Sequence, residues 1–225
     1  MERDPIPFWE RPEVVEKFAG REPDRRLAEW LSGRDDLEGL RVLDIGCAGG
    51  RNSVYLARSG CDLYAIDSSL PMVRRTRFRI ANVLGEREAA RRVRVGRMEL
   101  LGGFGDRSFD LVVALGVFHS APDRATYELA LAESARVLDQ DGHLLIANFA
   151  PGTELEGTVL EPVPGEPDVY VGHESGRHLL LGAEALDDSL DRHGLYPVVP
   201  TEVVEATGEA FRRITVNGLY RKRAS

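Results

Sequence analysis

The sequence predicts an α/β protein with a Rossmann-like, doubly wound sheet that is mostly parallel. Three observations lead to this class. Residues 42–45 form a short run, apolar except for one aspartate, which suits a strand buried on both faces. A glycine-rich turn follows at 46–50, and residues 51–59 then have helical spacing. The alternation of strands and helices continues to residue 149, which favours parallel strands joined by helical crossovers.

The remaining elements follow from apolar periodicity and from residues that begin or end a helix. Pro12 suits a first helical turn, Asp123 can cap a helix, and Gly20, Gly60 and Gly194 suit helix ends. Helices are predicted at 12–19, 24–31, 51–59, 70–84, 123–138 and 183–193. Strands are predicted at 42–45, 61–66, 93–97, 109–115, 143–149, 195–204 and 211–220, with a turn at 139–142.

The segment 151–182 departs from this regularity. It contains four prolines and six glycines, so it is predicted to be a long loop or a hairpin. Residues 169–181 have the pattern of a β-hairpin that turns at 174–176. We expect this segment to flank a substrate pocket, because long loops in compact domains are often functional. An exposed hairpin with polar decoration is an equally open interpretation.

Composition limits the class of partner and the compartment. The chain has 225 residues, 43% of them hydrophobic, with a net charge of −8 and a mean hydropathy of −0.25. These values predict one soluble α/β domain without nucleic-acid or membrane partners. Residues 1–7 contain no apolar signal core, and Cys47 and Cys61 lack metal-ligand spacing. We therefore expect a cytoplasmic location and two reduced, buried cysteines.

Asp44 indicates the chemistry of the ligand at the glycine turn. A carboxylate two residues before the first glycine would repel a pyrophosphate and attract a cation. The motif Asp-x-Gly-Cys-Ala-Gly-Gly at 44–50 resembles the first motif of the class I S-adenosylmethionine (SAM)-dependent methyltransferases. SAM carries a sulfonium and an ammonium group and no phosphate. The alternative is a glycine-rich turn that only packs a helix on a sheet.

The resemblance covers residues 40–150 by motif, since Ser-Phe-Asp-Leu-Val-Val-Ala at 108–114 and the stretch 137–147 are also typical of this family. It implies a seven-stranded sheet that ends in an antiparallel hairpin. Within the family, residues 50–57 are similar to the tellurite-resistance and thiopurine-type small-molecule methyltransferases. The resemblance also implies a single domain of 1–225, with a helical cap at 1–39, a cofactor-binding core at 40–150, an insertion near the substrate at 151–182 and a C-terminal helix and hairpin at 183–225.

Asp67 is the second acidic candidate for cofactor binding. It follows the second predicted strand, about 20 residues after the glycine turn, where a carboxylate can accept both hydroxyls of a ribose. The alternative is a helix N-cap. The complete set of predicted cofactor-binding residues is Asp44, Gly46, Cys47, Ala48, Gly50, Asn52, Asp67, Ser68, Met98, Glu99 and Leu115. Arg97 stands where related enzymes carry an aspartate, so the adenine contact departs from the family pattern.

His119 follows the strand 109–115, in a loop that faces the ligand crevice of an open α/β sheet. It is the candidate general base or orienting residue, and loop packing is the alternative. The predicted substrate contacts are Phe8, Trp9, His119, Tyr170, His173 and His178. No metal is expected, because His173 and His178 are five residues apart and no carboxylate-rich helix accompanies them.

The sequence thus predicts a SAM-dependent methyltransferase that acts on an O, N or S atom of a small molecule, as a monomer or a homodimer. Two alternatives remain open. The first is a SAM-binding partner or sensor without catalysis, which the altered position of Arg97 suggests. The second is an NAD-dependent oxidoreductase, which Asp44 and the missing Gly-x-Gly-x-x-Gly pattern disfavour.

Overall fold

A computed structural model of the chain describes residues 6–223, which form two compact units, 6–97 and 98–223. Residues 1–5 and 224–225, and with them most of the N-terminal stretch considered above, lie outside the described residues.

The first unit contains a short 3₁₀ helix, five α-helices and a three-stranded parallel sheet in its described part. The helices are α1 (Pro12–Ala19), α2 (Arg25–Ser32), α3 (Arg51–Arg58), α4 (Leu70–Leu84) and α5 (Glu86–Arg92), and the 3₁₀ helix is Phe8–Glu10. The strands are β1 (Arg41–Ile45), β2 (Asp62–Asp67) and β3 (Val93–Val95), with β2 in the middle. Helix α3 connects β1 to β2, and α4 and α5 connect β2 to β3.

The helix starts in this unit follow from local side-chain chemistry. The Asp24 carboxylate accepts a hydrogen bond from the backbone N–H of Arg26 at the start of α2. The Ser69 hydroxyl accepts one from Met72 at the start of α4, and Pro71 occupies its first turn. Helix α5 is absent from the sequence prediction. Only Ala89 is buried in it, so it has no apolar periodicity to detect.

The second unit has two helices and two sheets in its described part. The helices are α6 (Arg124–Val137) and α7 (Ala183–Arg192), and Phe118–Ser120 is a 3₁₀ helix. The strands are β4 (Phe109–Leu115), β5 (Leu138–Phe149), β6 (Glu154–Leu155), β7 (Thr158–Val159), β8 (Glu161–Pro162), β9 (Val169–Val171), β10 (His178–Leu179), β11 (Leu195–Pro197), β12 (Glu202–Gly208) and β13 (Phe211–Lys222).

Strand β5 lies between a parallel and an antiparallel neighbour. It pairs with β4 in parallel and with β13 in antiparallel orientation. Strand β13 also pairs with β6, β11 and β12, and β6 pairs with β7. Strands β8, β9 and β10 form a separate antiparallel sheet, which contains the predicted hairpin. The α/β class, with parallel strands and an antiparallel C-terminal part, is confirmed.

Three details differ from the sequence prediction. The expected turn at 139–142 lies inside β5, where the pairing with β4 shifts register and Asp141 has a φ of +62°. The expected strand 195–204 is divided into β11 and β12, with Pro200, which has no N–H to donate to a ladder, between them. The count of seven strands was therefore only approximate, because several short strands join β13.

Within 6–223, no helix is both long enough and apolar enough to cross a membrane. In the same residues, no group of three or more His, Cys, Asp or Glu side chains could hold a metal ion.

Candidate functional site

The glycine turn between β1 and α3 is fixed to the end of β2 by its own backbone. The N–H groups of Gly46 and Cys47 both donate to the carbonyl of Ile66, at 2.9 and 3.0 Å. Gly46, Ala48 and Gly50 have φ angles of +70°, +48° and +84°. Such angles are natural for glycine and disfavoured for alanine, so Ala48 is held in its conformation by its surroundings.

Helix α1 approaches this turn so closely that only glycine fits at position 49. A Cβ built on Gly49 would lie 2.5 Å from both Cα and Cβ of Ala19, the last residue of α1. The Arg79 guanidinium crosses the same junction, because its Nη1 donates to the carbonyls of Ala19 and Gly49 at 2.8 and 2.7 Å. The turn is therefore packed against α1 and held there by a side chain of α4.

Asp44 is a buried carboxylate near the end of β1, with 2% of its surface exposed. Its Oδ2 accepts a hydrogen bond of 2.6 Å from the Ser53 hydroxyl of α3. Burial raises the pKa of Asp44 to about 7, and the negative charge of Asp67 adds to this effect, whereas Ser53 and the charge of Arg51 act in the opposite direction. A cation next to Asp44 would therefore be bound favourably.

Asp67 joins the end of β2 to the glycine turn. Its Oδ2 accepts from the backbone N–H of Ala48 at 2.9 Å, and its Oδ1 accepts from that of Ser69 at 2.8 Å. Burial raises the pKa of this carboxyl, and the two N–H donors act against the increase. The sequence left open that Asp67 is a helix N-cap. In the structure the N-cap of α4 is Ser69. Each Asp67 oxygen keeps a lone pair, so the carboxylate can still accept a vicinal diol.

Other predicted cofactor residues of the first unit have different environments. Cys47 is buried, and burial together with the two nearby carboxylates raises the pKa of its thiol. The Asn52 side-chain oxygen accepts from the backbone N–H of Asp24 at 2.9 Å, which fixes the start of α2. Ser68 is exposed directly after β2. Asn52 is thus engaged in a structural contact, whereas Ser68 is open to solvent.

The remaining cofactor candidates belong to the second unit. Met98 and Glu99 lie half-buried in a turn, and Leu115 is the half-buried last residue of β4. Of the predicted cofactor residues, Asp44, Asp67 and those of the glycine turn lie together within the first unit.

The aromatic residues Phe8 and Trp9 pack near the turn. Together with Phe18 and Ala48 they lie against a buried cluster of Val14, Val15 and Met72. The Ser69 hydroxyl donates to the carbonyl of Trp9 at 2.9 Å. Ala48, whose N–H donates to Asp67, thus packs against the same cluster as the two aromatic residues. This packing fixes the N-terminal segment, and the substrate contact predicted for Phe8 and Trp9 stays a prediction.

Sequence reasoning missed several residues that hold the turn in place. Ser53 binds Asp44, Arg79 bridges Ala19 and Gly49, and the Thr76 hydroxyl donates to the carbonyl of Ala48 at 2.6 Å. A Cβ on Gly50 would meet the same Thr76 side chain at 2.9 Å. Thr76 could have been noticed as a polar position at core spacing in an otherwise amphipathic helix.

In the second unit, His119 is buried and held by two hydrogen bonds. Its backbone N–H donates to Oδ1 of Asn148, and its Nδ1 accepts from the backbone N–H of Phe149, each at 3.3 Å. The ring packs against that of Phe149 with a centroid distance of 4.2 Å. Burial lowers the pKa of His119 to about 3, and the neighbouring His178 lowers it further. His119 is therefore a neutral ring at working pH.

Among the other predicted substrate contacts, His173 and His178 are linked by hydrogen bonds through Ser175. Tyr170 of β9 is paired in register with His178 of β10. The Ser175 hydroxyl lies 2.9 Å from Nε2 of His178 and 2.7 Å from Nδ1 of His173. Nε2 of His173 lies 3.5 Å from the Glu156 carboxylate. Burial lowers the pKa of His178 to about 4. The sequence did not indicate Ser175 or Glu156.

The two buried histidines predict acid sensitivity of the second unit. Their folded-state pKa values lie below the unfolded value of about 6.5, so the unfolded chain binds more protons as the pH falls. Their stabilisation is complete above pH 6.5 and is lost as the pH falls toward 3, by about 1.4 kcal/mol per pH unit and histidine. We expect His119→Asn to cost less stability at pH 5 than at pH 7, measured as the free energy of unfolding in urea.

Asp44 contributes to stability with the opposite pH dependence. Comparing the variant with the wild type at each pH removes this contribution, because Asp44 is present in both proteins. The pKa of that carboxyl is raised on folding, so it stabilises the chain as the pH falls through 7. The substitution His193→Asn is the control, because His193 is a half-buried histidine of the same unit whose Nε2 lies 2.9 Å from the Glu128 carboxylate. An unchanged cost of His119→Asn at the two pH values would contradict the prediction.

The first unit therefore has the site of a class of α/β proteins that bind a nucleoside at the turn after the first strand. Its polar groups are acidic, with one buried carboxylate, Asp44, and one half-buried carboxylate, Asp67, and they fit a cationic nucleoside rather than a pyrophosphate. A family model described as a methyltransferase domain matches residues 43–146. This part of the chain is therefore similar to methyltransferase domains.

Comparisons with curated proteins give relatives of about one third identity. A ubiquinone biosynthesis O-methyltransferase of Xanthomonas oryzae pv. oryzae is 32% identical over 122 residues, which is 54% of this chain and 48% of the relative. The methyltransferase GfsG of Streptomyces halstedii is 29% identical over 160 residues, or 70% of this chain and 55% of the relative. The matches thus span about half the length of these relatives.

Solved structures share the fold at lower identity. A SAM-dependent methyltransferase of Methanosarcina mazei has a TM-score of 0.67 at 19% identity, covering 91% of this chain and 100% of that one. The 1,6-didemethyltoxoflavin-N1-methyltransferase of Burkholderia thailandensis, with bound S-adenosylhomocysteine, has a TM-score of 0.63 at 22% identity, covering 89% and 78%. The finer similarity to tellurite-resistance and thiopurine-type enzymes stays a prediction.

Proposed function

We propose that this chain transfers the methyl group of SAM to an O, N or S atom of a small molecule. The observation that carries the proposal is a pair of carboxylates at the glycine turn, the buried Asp44 and the half-buried Asp67. A phosphorylated cofactor would place negative charge at this turn, whereas SAM would place positive charge beside Asp44 and neutral ribose hydroxyls beside Asp67.

The residues of the first unit have distinct roles in this proposal. Asp44 attracts the positive charge of the cofactor, and Ser53 keeps its carboxylate oriented. Asp67 accepts the two ribose hydroxyls while its contacts with Ala48 and Ser69 fix its position. SAM, when bound, supplies a methyl group on a sulfonium leaving group. The chain then has mainly to align the acceptor, and such orientation can supply about 7–11 kcal/mol of the barrier.

The raised pKa of Asp44 predicts pH-dependent cofactor binding. The carboxylate form attracts the cation, and below a pKa of about 7 an increasing fraction of Asp44 is protonated. We therefore expect the Kd for SAM to fall about tenfold as the pH rises from 5.5 to 6.5. Isothermal titration calorimetry at several pH values measures it.

Two variants sharpen this test. Asp44→Asn removes the titrating group, so its Kd for SAM should be higher and nearly constant over the same pH range. Ser53→Ala removes a hydrogen bond that favours the carboxylate form of Asp44. The pKa of Asp44 should then rise further, and the change in Kd should occur at higher pH. A wild-type Kd that does not change between pH 5.5 and 6.5 would exclude Asp44 as the cation-binding group.

A second candidate function is SAM binding without catalysis, as a partner subunit or sensor. The observation that favours it is Arg97, an exposed arginine at the position where related enzymes carry an aspartate. Incubation with methyl-labelled SAM and a panel of phenols, amines and thiols distinguishes the two functions. Label transferred to an acceptor supports the enzyme, whereas saturable cofactor binding with no transfer to any class supports the sensor.

The names of the relatives suggest the order in which acceptors should be tested. The ubiquinone biosynthesis relatives are O-methyltransferases by name, and one structural neighbour is an N1-methyltransferase. We infer that a small molecule with a hydroxyl group is the first acceptor to test. The earlier expectation of a monomer or homodimer also remains a proposal, and size-exclusion chromatography with light scattering tests it.

A further inference from the structure

The hairpin formed by β12 and the start of β13 is exposed on both of its faces. Strand β12 pairs with β13 along its whole length, and a two-residue turn at 209–210 joins the two strands. In β12, Ala206 is half-buried and the other six residues are exposed, as are the first three residues of β13. An antiparallel sheet commonly packs one face on a core. This hairpin therefore presents a surface that the described chain leaves open to solvent.

Large apolar side chains are part of this surface. Val203 and Val204 of β12 are 59% and 44% exposed. Exposed side chains of the same kind lie on either side of β12 in the sequence, at Val198, Val199 and Phe211. Single exposed apolar residues are ordinary, but a group of them marks a surface that another molecule covers. The hairpin is thus a candidate interface.

The outer edge of β12 is open for pairing. Among residues 6–223, β13 is the one strand that pairs with β12, so the backbone groups on the other edge of β12 have no ladder partner. Native edge strands are commonly protected by proline, lysine or a bulge, and β12 contains none of these. An open edge of this kind accepts a strand from another chain.

We propose that this edge pairs with β12 of a second copy of the chain, antiparallel about a two-fold axis, so that the sheet continues from one copy into the other. The axis is perpendicular to the sheet and keeps each residue on the same face as its copy. Residues opposite each other in an antiparallel pair also share a face. One residue of β12 must therefore lie on the axis, opposite its own copy.

Charge selects the residue on the axis. With Glu205 there, two carboxylates would lie opposite each other, which is unfavourable. With Val204 there, Glu202 lies opposite the second copy's Ala206, and Ala206 is itself opposite Arg213 within its own hairpin. Glu202 then shares one row of one face with the second copy's Arg213, and only a small alanine side chain separates them. Val204 is the one axial residue that gives this row, and it also forms a favourable β-branched pair with its own copy.

The two charged groups of this row have no ion-pair partner within one copy. Neither Glu202 nor Arg213 forms an ion pair among residues 6–223. Glu205, by contrast, accepts a hydrogen bond of 2.7 Å from Nε of Arg212, so its charge is compensated before the strands meet. Two-fold symmetry makes the contact between Glu202 and Arg213 twice. The surface is therefore complementary to itself, which favours a second copy over an unrelated strand.

The pairing should produce a reversible dimer. Stable interfaces bury about 1,200–2,000 Å², whereas this contact is limited to two hairpins, so the dimer population should depend on concentration. In size-exclusion chromatography with light scattering, the mass should rise from that of one chain toward that of two as concentration increases. A mass of one chain at every concentration up to about 1 mM would overturn the proposal. A mass above that of two chains would also overturn it, because a two-fold contact closes at the dimer.

Disulfide cross-linking tests the register. In the proposed pairing, the Cα atoms of Val204 and its copy are about 4.5–5.5 Å apart, within the range that a disulfide spans. Val203→Cys is the matched control, because its copy is offset by two residues and lies about 8 Å away. Cys47 and Cys61 are buried, so the wild-type background should be low. Under mild oxidation, Val204→Cys should form a covalent dimer at least about tenfold faster than Val203→Cys. Equal rates, or no dimer from Val204→Cys, would overturn the proposal.

Charge reversal tests the contact between Glu202 and Arg213. Glu202→Arg or Arg213→Glu alone places like charges in the row twice and should raise the Kd of the dimer about tenfold or more. The double variant restores opposite charges and should return the Kd to within about threefold of wild type. Glu184→Arg, the same change at an exposed position of α7, is the control for net charge and should leave the Kd within about twofold. None of these measurements uses a cofactor, so their outcome does not depend on the proposed methyl transfer. A double variant as weak as the single variants, or an equal loss in Glu184→Arg, would overturn the proposal.

Discussion

Replacing Asp67 with asparagine is expected to weaken SAM binding by about 100-fold or more. The carboxylate accepts one backbone N–H with each oxygen, from Ala48 and from Ser69. The asparagine side chain has only one oxygen, and its N–H₂ group cannot accept a hydrogen bond. One backbone N–H and one ribose hydroxyl would therefore lose their acceptor. Each lost hydrogen bond to a charged group costs about 1.5–3 kcal/mol. Calorimetric titration with SAM measures the loss.

The matched control for this variant is Asp62→Asn on the same strand. Asp62 is paired with Arg92 at the opposite end of β2 and has no contact with the glycine turn among the described hydrogen bonds. Its Kd for SAM should stay within about twofold of wild type, because exposed ion pairs contribute about 1 kcal/mol or less. Comparable losses in the two variants would show that the effect of Asp67 is a general loss of fold.

Replacing Gly49 with alanine is expected to destabilise the first unit by about 3 kcal/mol or more, at the upper end of the cost of overpacking. The new Cβ would lie 2.5 Å from backbone and side-chain atoms of Ala19, so α1 and the turn must move apart. The Arg79 bridge between their carbonyls would break as well. Urea unfolding measures the loss, and SAM binding should decrease with it.

Gly33→Ala provides the control in the same unit. Gly33 has a φ of −81°, and a Cβ there would meet its nearest atoms at 3.8 and 3.9 Å, an ordinary contact distance. This variant should unfold within about 0.5 kcal/mol of wild type. A Gly49→Ala variant as stable as Gly33→Ala would mean that α1 does not pack against the glycine turn in solution.

The sequence was most informative where one short pattern fixes one local structure. The strand β1, the turn and α3 were predicted almost to the residue, because the apolar run, the glycines and the helical spacing follow each other without interruption. Asp44 and Asp67 were predicted from their positions at strand ends, and the structure brings both to the turn. The α5 helix was missed because its signal is charge placement rather than apolar periodicity.

What could not be predicted depends on contacts between residues distant in sequence. Arg79 crosses from α4 to the carbonyls of Ala19 and Gly49, which are 60 and 30 residues away. The ring of His119 is held by the backbone N–H of Phe149, 30 residues away. No local pattern encodes such pairs, because they arise only when the chain is folded.

The central claim is that the acidic pair at the glycine turn, through the buried Asp44, selects a cationic nucleoside over a phosphorylated one. Isothermal titration of the wild-type chain with SAM and with NAD at pH 7.5, repeated with Asp44→Asn, tests it most directly. The account predicts that SAM binds more tightly than NAD and that the substitution removes most of this preference. Tighter binding of NAD to the wild-type chain would contradict it.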